Sequence, residues 1–459
     1  MQKEPTEDLW LEGQRLHLAD KFPEAEAIYT RLLEQNHNNG GLMATLGSLY
    51  LQTGNNGLAI HFLESAIKTG LKIPDIYTNL ALAYKGSHQV QKSRAAFEKS
   101  INEDPSAESL TNYSGMFIEC GESKKCADLC ERAIAMKYDL PVAHWNLAIS
   151  LLGDGVWDRA WDEHEWGLKG NCMREDRNPW GVPFWDGTPG KTVVLYGEQG
   201  LGDEIMFASM IHDIAKTNPV ILECHGRLET LFRKSFPDIT VYGTREDKEI
   251  SWADNHKIDA RLSIGSLGKF YRRSREAFPG TPYLKSDQIV KGKKFRVGIS
   301  WQGGGAKMGR VQKRSVPLPW WKSILNVPDV EFVSLQYMDG SNDLSMMEAL
   351  GYDIKNMDDL VKAQDYYETA RLVASCDLVI SVCTSVIHLA GALGVPCWVM
   401  TPKFPAWRYQ NTGGMPWYRS VRLYRSQDVE QDGWRPVVER IGYDLDKLVH
   451  GQKKLQAVG

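Results

Sequence analysis

The chain has 459 residues, enough for three domains of ordinary size, and its apolar share of 42% and charged share of 24% are those of a globular rather than a disordered protein. A formal net charge of -4 offers no broad cationic face, which argues against a general nucleic-acid footprint and against adhesion to an anionic membrane. The opening MQKEPTEDLW carries acids and no apolar core, no stretch reaches the length of a membrane span, and the cysteines are irregularly spaced, so the expectation is a reduced, cytoplasmic protein.

In chain order, the first feature is a repeat. Gly13, Gly47, Ala81, Ser114 and Ala148 recur at intervals of 34, 34, 33 and 34. A second set, Ala25, Ala59, Ser93, Cys126 and Ala160, moves in step with it. So do a third, Tyr29, Leu63, Phe97, Cys130 and His164, and a fourth, Leu32, Ala66, Ser100 and Ala133. Small residues at one position let two antiparallel helices approach, large ones fill the space between them, and stacking is needed to bury what one pair leaves exposed. Cys120, Cys126 and Cys130 cluster as metal ligands might, but no CxxC pair or matching histidine accompanies them. Cys126 and Cys130 fall on core positions, where cysteine behaves as a small hydrophobe, so no metal is expected. The pattern resembles the tetratricopeptide repeat (TPR) and sets a solenoid of about five repeats over residues 1–170. The resemblance implies a groove for a protein or peptide partner; the plainer reading is a packing platform for the rest of the chain.

Residues 171–190 read as an ordered connector, since Trp180, Phe184 and Trp185 in its Pro- and Gly-rich run call for burial. The pattern then changes to alternating strand and helix, which implies parallel sheets, in a first lobe over 191–290 and a second over 291–459. Strands are predicted at Lys191–Tyr196, Val220–Cys224 and Ile239–Val241, with helices at Asp203–His212 and Leu228–Ser235. Between the first strand and helix lies Gly197-Glu-Gln-Gly-Leu-Gly202, a turn in which Gly200 and Gly202 let backbone approach a ligand at a helix start that favours anions. Its spacing is not the dinucleotide fingerprint and no P-loop lysine follows. Asp203 at that helix start has two readings, an N-cap or a catalytic carboxylate.

The second lobe opens with a strand over Lys294–Trp301, then Gln302 and a glycine loop followed by Lys307, Arg310, Lys313 and Arg314. Glycines and cations together suit a diphosphate, and a solvated basic loop is the plainer alternative. A strand over Val330–Gln336 and a helix over Tyr366–Ser375 come next. A buried strand, Leu378–Val382, runs into Cys383-Thr384-Ser385 and a helix over Val386–Leu393, followed by a strand over Cys397–Met400. Hydroxyls and free N–H groups at that helix start favour an anion, and His388 in its first turn is expected to be neutral, either a hydrogen-bond donor or a satisfied core histidine. Ligand-like loops at the strand ends of both units imply a cleft between them.

The segments GEQGLGDEIMFA, SVCTSVIHLAGALGVPCWV and PAWRYQ…PWYRSVRLYR resemble heptosyltransferase-like glycosyltransferases, and the TPR-then-transferase order is similar to the O-GlcNAc transferase architecture. The resemblance implies an α-solenoid followed by α/β lobes in the GT-B arrangement, two Rossmann-like lobes with a cleft. It implies a metal-independent, cofactor-free inverting transfer from a nucleotide-diphosphate sugar to a hydroxyl, on a protein held by the TPR groove. Asp203 matches the proposed base. Thr384, Ser385 and His388 match the diphosphate-binding turn, Arg314 and Ser315 a recurring pair, and Trp301, Gln302 and Gln336 the donor side, together with Gly200 and Gly202. Trp407 and Arg408 match an Asp-Trp-Arg segment of the cleft, with Ala406 in place of its aspartate. Cys383 stands where the family carries an aspartate held to touch the donor sugar, which leaves three outcomes: a different sugar, a weak enzyme, or a non-catalytic TPR scaffold with a nucleotide-binding module. Transfer to a glycan, a lipid or a nucleic-acid base is a further alternative, the last disfavoured by the acidic balance.

Overall fold

The computed structural model describes residues 6–73, 75–303, 314–428 and 431–456; Lys307, Arg310 and Lys313 of the basic stretch lie outside the described residues. Packing divides the chain into two compact units, Met1–Asn146 and Leu147–Gly459.

The first unit is a run of helical hairpins. Thr6–Leu18 pairs with Phe22–Gln35, Gly40–Gln52 with Asn56–Lys68, Ile76–Gly86 with Val90–Glu103, and Ala107–Cys120 with Ser123–Met136. Two of the second-pair helices start on asparagine caps: Asn39 accepts from the Leu42 N–H and Asn55 from the Leu58 N–H. The repeat sets are the buried seam, with Ala25, Ala59, Tyr29, Leu63, Phe97, Cys126 and Cys130 all fully buried. Close approach explains the small set. A Cβ on Gly47 would lie 2.6 Å from Leu63 Cγ, and one on Gly13 would lie 2.7 Å from Tyr29 Cε1. Gly47→Val is therefore expected to overpack the seam and destabilise this unit by about 1–3 kcal/mol, read from denaturant unfolding. A loss below about 0.5 kcal/mol would show that the seam gives way freely.

The repeat register continues past the unit boundary. Helix Pro141–Gly153 spans the division, and Trp157–His164 belongs to the second unit by packing, although the sequence pattern carries the solenoid to residue 170. The reason is its face: Trp157 and Trp161 are buried in the same core as the first sheet, and a Cβ on Gly268 would lie 2.7 Å from the Trp161 ring.

The second unit holds two all-parallel sheets. β1 (Val193–Tyr196), β2 (Val220–Glu223), β3 (Thr240–Tyr242) and β4 (Ala260–Ser263) form the first, in the order β3-β2-β1-β4. β5 (Phe295–Ser300), β6 (Val330–Ser334), β7 (Ile354–Lys355), β8 (Leu378–Val382), β9 (Cys397–Thr401) and β10 (Val421–Arg425) form the second, in the order β10-β9-β8-β5-β6-β7. Chain direction across the sheet reverses between β1 and β4 in the first and between β5 and β8 in the second. Such reversals open a crevice at the carboxyl ends of the strands. Leu378–Val382 is a strand with every residue buried, as its apolar run requires.

Several expected bounds shift. The helix expected over Asp203–His212 is two, Leu201–Ala208 and Ile211–Ala215, parted at Ser209, whose hydroxyl bonds the Met206 carbonyl at 2.7 Å. The strand expected through Gln336 stops at Ser334, because the Trp301 and Gln302 N–H groups that a longer ladder would use go to the Gln336 side chain instead. In the connector, Trp185 is buried but Phe184 is 43% exposed, one ring face being covered by the Arg261 guanidinium at 3.7 Å. The long helix Arg435–Gln456 packs Val437, Val438, Ile441 and Leu445 into the core that also holds Trp321 and Ile324. No helix among the described residues is long and apolar enough to cross a membrane.

Candidate functional site

The glycine turn after β1 is the starting point. Gly200 is the N-cap of Leu201–Ala208, so Asp203 is its third helical residue rather than the cap. From there its Oδ2 reaches back to accept from the Gly200 N–H at 3.3 Å, the half of a capping box that a glycine cap still allows. Its other oxygen is paired with the Arg408 guanidinium, and both side chains are mostly buried. The capping contact and the ion pair therefore fall on different oxygens of one side chain.

Two arginines pin this turn from outside. Arg174 of the connector is 2% exposed and grips Glu198 with two bonds of 2.8 and 2.9 Å. Its remaining nitrogen reaches Glu165 at 2.9 Å and His164 Nδ1 at 2.9 Å. Arg245 pairs with buried Glu204 and donates to the Gln199 carbonyl at 3.1 Å, which holds Gln199 at a left-handed φ of 59°. Burial pushes the Glu204 carboxyl up to about 7, against the pull of Arg245 and of the His225 N–H. An unfolded glutamate titrates near ~4.3. Between these values the folded protein holds a proton that the unfolded chain has lost, so this contribution to stability is full below about 4.3 and vanishes as pH rises through 7. Glu204→Gln is expected to remove about 1–3 kcal/mol of that pH dependence between pH 4.5 and 8, read as the difference between the two unfolding curves. Parallel curves would exclude Glu204 as its source.

Opposite stands the start of the helix Ser385–Leu393, which follows β8. A Cβ on Gly202 would lie 3.1 Å from His388 Cδ2 and 3.3 Å from Ser385 Cα, so the absence of a side chain at 202 is what lets the two turns touch. Thr384 is the N-cap but its hydroxyl lies 3.1 Å from Ser381 Oγ and caps no N–H of the helix. Ser385 Oγ accepts from Tyr366 OH at 3.2 Å. His388 is buried with Nδ1 3.2 Å from Tyr418 OH; burial first and then Arg408 hold its pKa well below the usual range, so it is neutral.

Arg408 follows Trp407, whose ring is wedged among Trp161, Phe207 and Trp417. Burial disfavours the Arg408 charge most strongly, but Asp203 and, behind it, Tyr409 and Cys383 together more than offset it and hold the pKa above its ordinary value. Cys383 lies beneath, its thiol pushed up to about 11 by burial, with Arg314, Arg408 and Arg425 all within electrostatic reach.

The other sequence candidates do different work. Gln336 is 2% exposed and its oxygen accepts from the N–H groups of Trp301 and Gln302 at 3.1 and 3.0 Å, while its nitrogen donates to the Gln302 carbonyl at 3.2 Å. Trp301 is fully buried, and its indole N–H and the Gln302 amide both bind Asp343, at 2.6 and 2.7 Å. These residues form a clasp that shapes the end of β5, with their polar atoms already engaged. Ser315 accepts from the Gly303 N–H at 3.4 Å. Sequence pattern does not single out Arg425, Tyr409, Tyr418, Asp343 or the Arg174–Glu198 pair. Arg425, Tyr409 and Tyr418 lie within the PAWRYQ…PWYRSVRLYR segment; nothing in the local sequence marks Asp343 or Arg174.

Residues 41–69 and 74–106 match the tetratricopeptide-repeat family. Protein FlbA of Caulobacter vibrioides is 28% identical over 420 residues, covering 84% of this chain and 69% of that protein. A crystal structure of MamA is 21% identical with a TM-score of 0.32, over 35% of this chain and 94% of MamA. Pseudomonas aeruginosa pilF is 9% identical with a TM-score of 0.35, over 46% of this chain and 84% of its own. Residues 41–69 and 74–106 thus carry tetratricopeptide repeats, within a helical solenoid that parallel-sheet α/β regions follow in the chain.

Proposed function

We propose that the α/β region is a GT-B glycosyltransferase that moves a sugar from a nucleotide-linked donor to a hydroxyl of a protein acceptor recruited by the repeats. The supporting observation is the meeting of two strand-end turns at Gly202 and Ser385, with one carboxylate, Asp203, facing one buried arginine, Arg408. Such a site has the parts that direct displacement needs. The acceptor oxygen bonds to the anomeric carbon as Asp203 takes its proton, and the bond from that carbon to the phosphate oxygen breaks. The electron pair leaves on the nucleotide phosphate, where Arg408, Arg425 and the N–H groups at the start of Ser385–Leu393 stabilise it. Neutral His388 adds a hydrogen bond without competing for the base.

Protein recruitment rests on the tetratricopeptide repeats, which present surfaces suited to protein or peptide partners. The test is intact-mass spectrometry of co-purified proteins after incubation with a panel of nucleotide sugars. The expected result is a mass gain of one sugar residue on an acceptor, or donor hydrolysis where the acceptor is missing. No mass gain and no hydrolysis across the panel would remove the transferase reading and leave a non-catalytic scaffold.

A further inference from the structure

The guanidiniums of Arg314, Arg408 and Arg425 all act electrostatically on the Cys383 thiol. The carboxylate paired with Arg408 is Asp203. Two of the nitrogens are buried and make no hydrogen bond among the described residues, Arg408 Nε and Arg425 Nη1. The other Arg425 bonds run from Nη2 to the carbonyls of Tyr409 and Gly413, at 2.8 and 3.1 Å, so Arg425 is anchored one residue away from Arg408. Burial holds the Arg425 pKa below its ordinary value, the mark of a cation without a close counter-charge. Beside them the first turn of Ser385–Leu393 has no side-chain cap. Buried guanidinium N–H groups are costly to leave unbonded, and an oxyanion with several acceptor oxygens meets that need where one carboxylate oxygen does not.

Asp203 meanwhile has both carboxylate oxygens engaged, Oδ1 by the Arg408 guanidinium and Oδ2 by the Gly200 N–H, so neither is turned over to an acceptor hydroxyl. The two observations have one resolution. We infer that Asp203 and Arg408 form an exchangeable pair: a phosphate oxyanion binds Arg408 and Arg425, displaces Asp203 from the guanidinium, and so releases the carboxylate as base only when donor is present. This rests on the transferase reading for the identity of the anion as a nucleotide phosphate. It orders the events, donor before proton transfer, and keeps the resting site from presenting a free base to water.

Competition for one guanidinium has a direct consequence, because the anion must break the Asp203 pair in order to bind. Isothermal titration of inorganic pyrophosphate into the full-length chain, at fixed ionic strength, reads it. Asp203→Asn is expected to tighten pyrophosphate binding about tenfold, the scale of losing one partly buried competing ion pair. Arg408→Gln is expected to weaken binding by about as much, Arg425→Gln to weaken it less, and Arg408→Lys to fall between wild type and Arg408→Gln, which separates lost contact from lost fold. In the Asp203→Asn, Arg408→Gln double variant the gain should vanish relative to Arg408→Gln alone. Unchanged or weaker binding by Asp203→Asn, a gain that survives without Arg408, or no binding by either wild type or Asp203→Asn would each overturn the exchange. The gain seen without any sugar transfer would keep the exchange and remove the transferase reading; transfer without the gain would do the reverse.

Discussion

Asp203→Asn is expected to lower sugar-transfer turnover by about 10²–10⁴-fold, the range associated with losing a positioned general base. The KM for donor should not rise with it, because asparagine keeps the shape and the bond to the Gly200 N–H while giving up the charge held by Arg408. That split distinguishes chemistry from architecture. A variant that merely loosened the turn would raise KM and lower thermal stability together. The side chain's geometry supports this choice of substitution: one oxygen serves the helix start and the other the arginine, and asparagine can still present an acceptor to the first. Steady-state kinetics with the active donor and acceptor are the measurement, and unchanged turnover would refute Asp203 as the base.

Arg174→Met is expected to cost the second unit about 3–5 kcal/mol, the penalty for leaving a buried charge without its partner. Glu198 is 2% exposed, and with Arg174 gone the Gly265 N–H at 3.1 Å would remain as its donor. Ser263 and Ser266 would lose the same arginine, at 3.2 and 2.8 Å. Because Glu198 belongs to the glycine turn, the loss should appear there first, as faster amide exchange over residues 197–203. The double change Arg174→Met, Glu198→Met removes both charges and should recover much of the stability, since well-packed apolar replacements of buried ion pairs are often near neutral. A cost below about 1 kcal/mol for the single change would mean that the turn does not depend on the connector.

Periodic features of this chain were legible without coordinates. The repeat was readable because each small position faces a large one at a fixed offset, and Gly47 against Leu63 shows why the spacing tolerates no drift. β8 was readable because a strand covered on both faces must be apolar throughout. β4, β7 and β10 were not, since Arg261 interrupts one, the second has two residues, and the third sets Arg422 and Arg425 three positions apart, off the strand period of two. Their strand state comes from a parallel neighbour already in place.

The site divides along the same line. Its turns could be found from their glycines and hydroxyls, because a turn is a local event. The roles within them could not. Gln336 lies at the expected strand end, yet its amide is spent on the backbone of Trp301 and Gln302 across the sheet. Asp203 and Arg408 are far apart in sequence and are brought together by the packing of Gly202 on Ser385. By itself the sequence determined the repeat register, the glycine turn and the parallel-sheet class, all set by short-range spacing and burial. Tertiary structure alone decided which charges face one another, because electrostatic partnership depends on distance through space and the chain's order does not encode it.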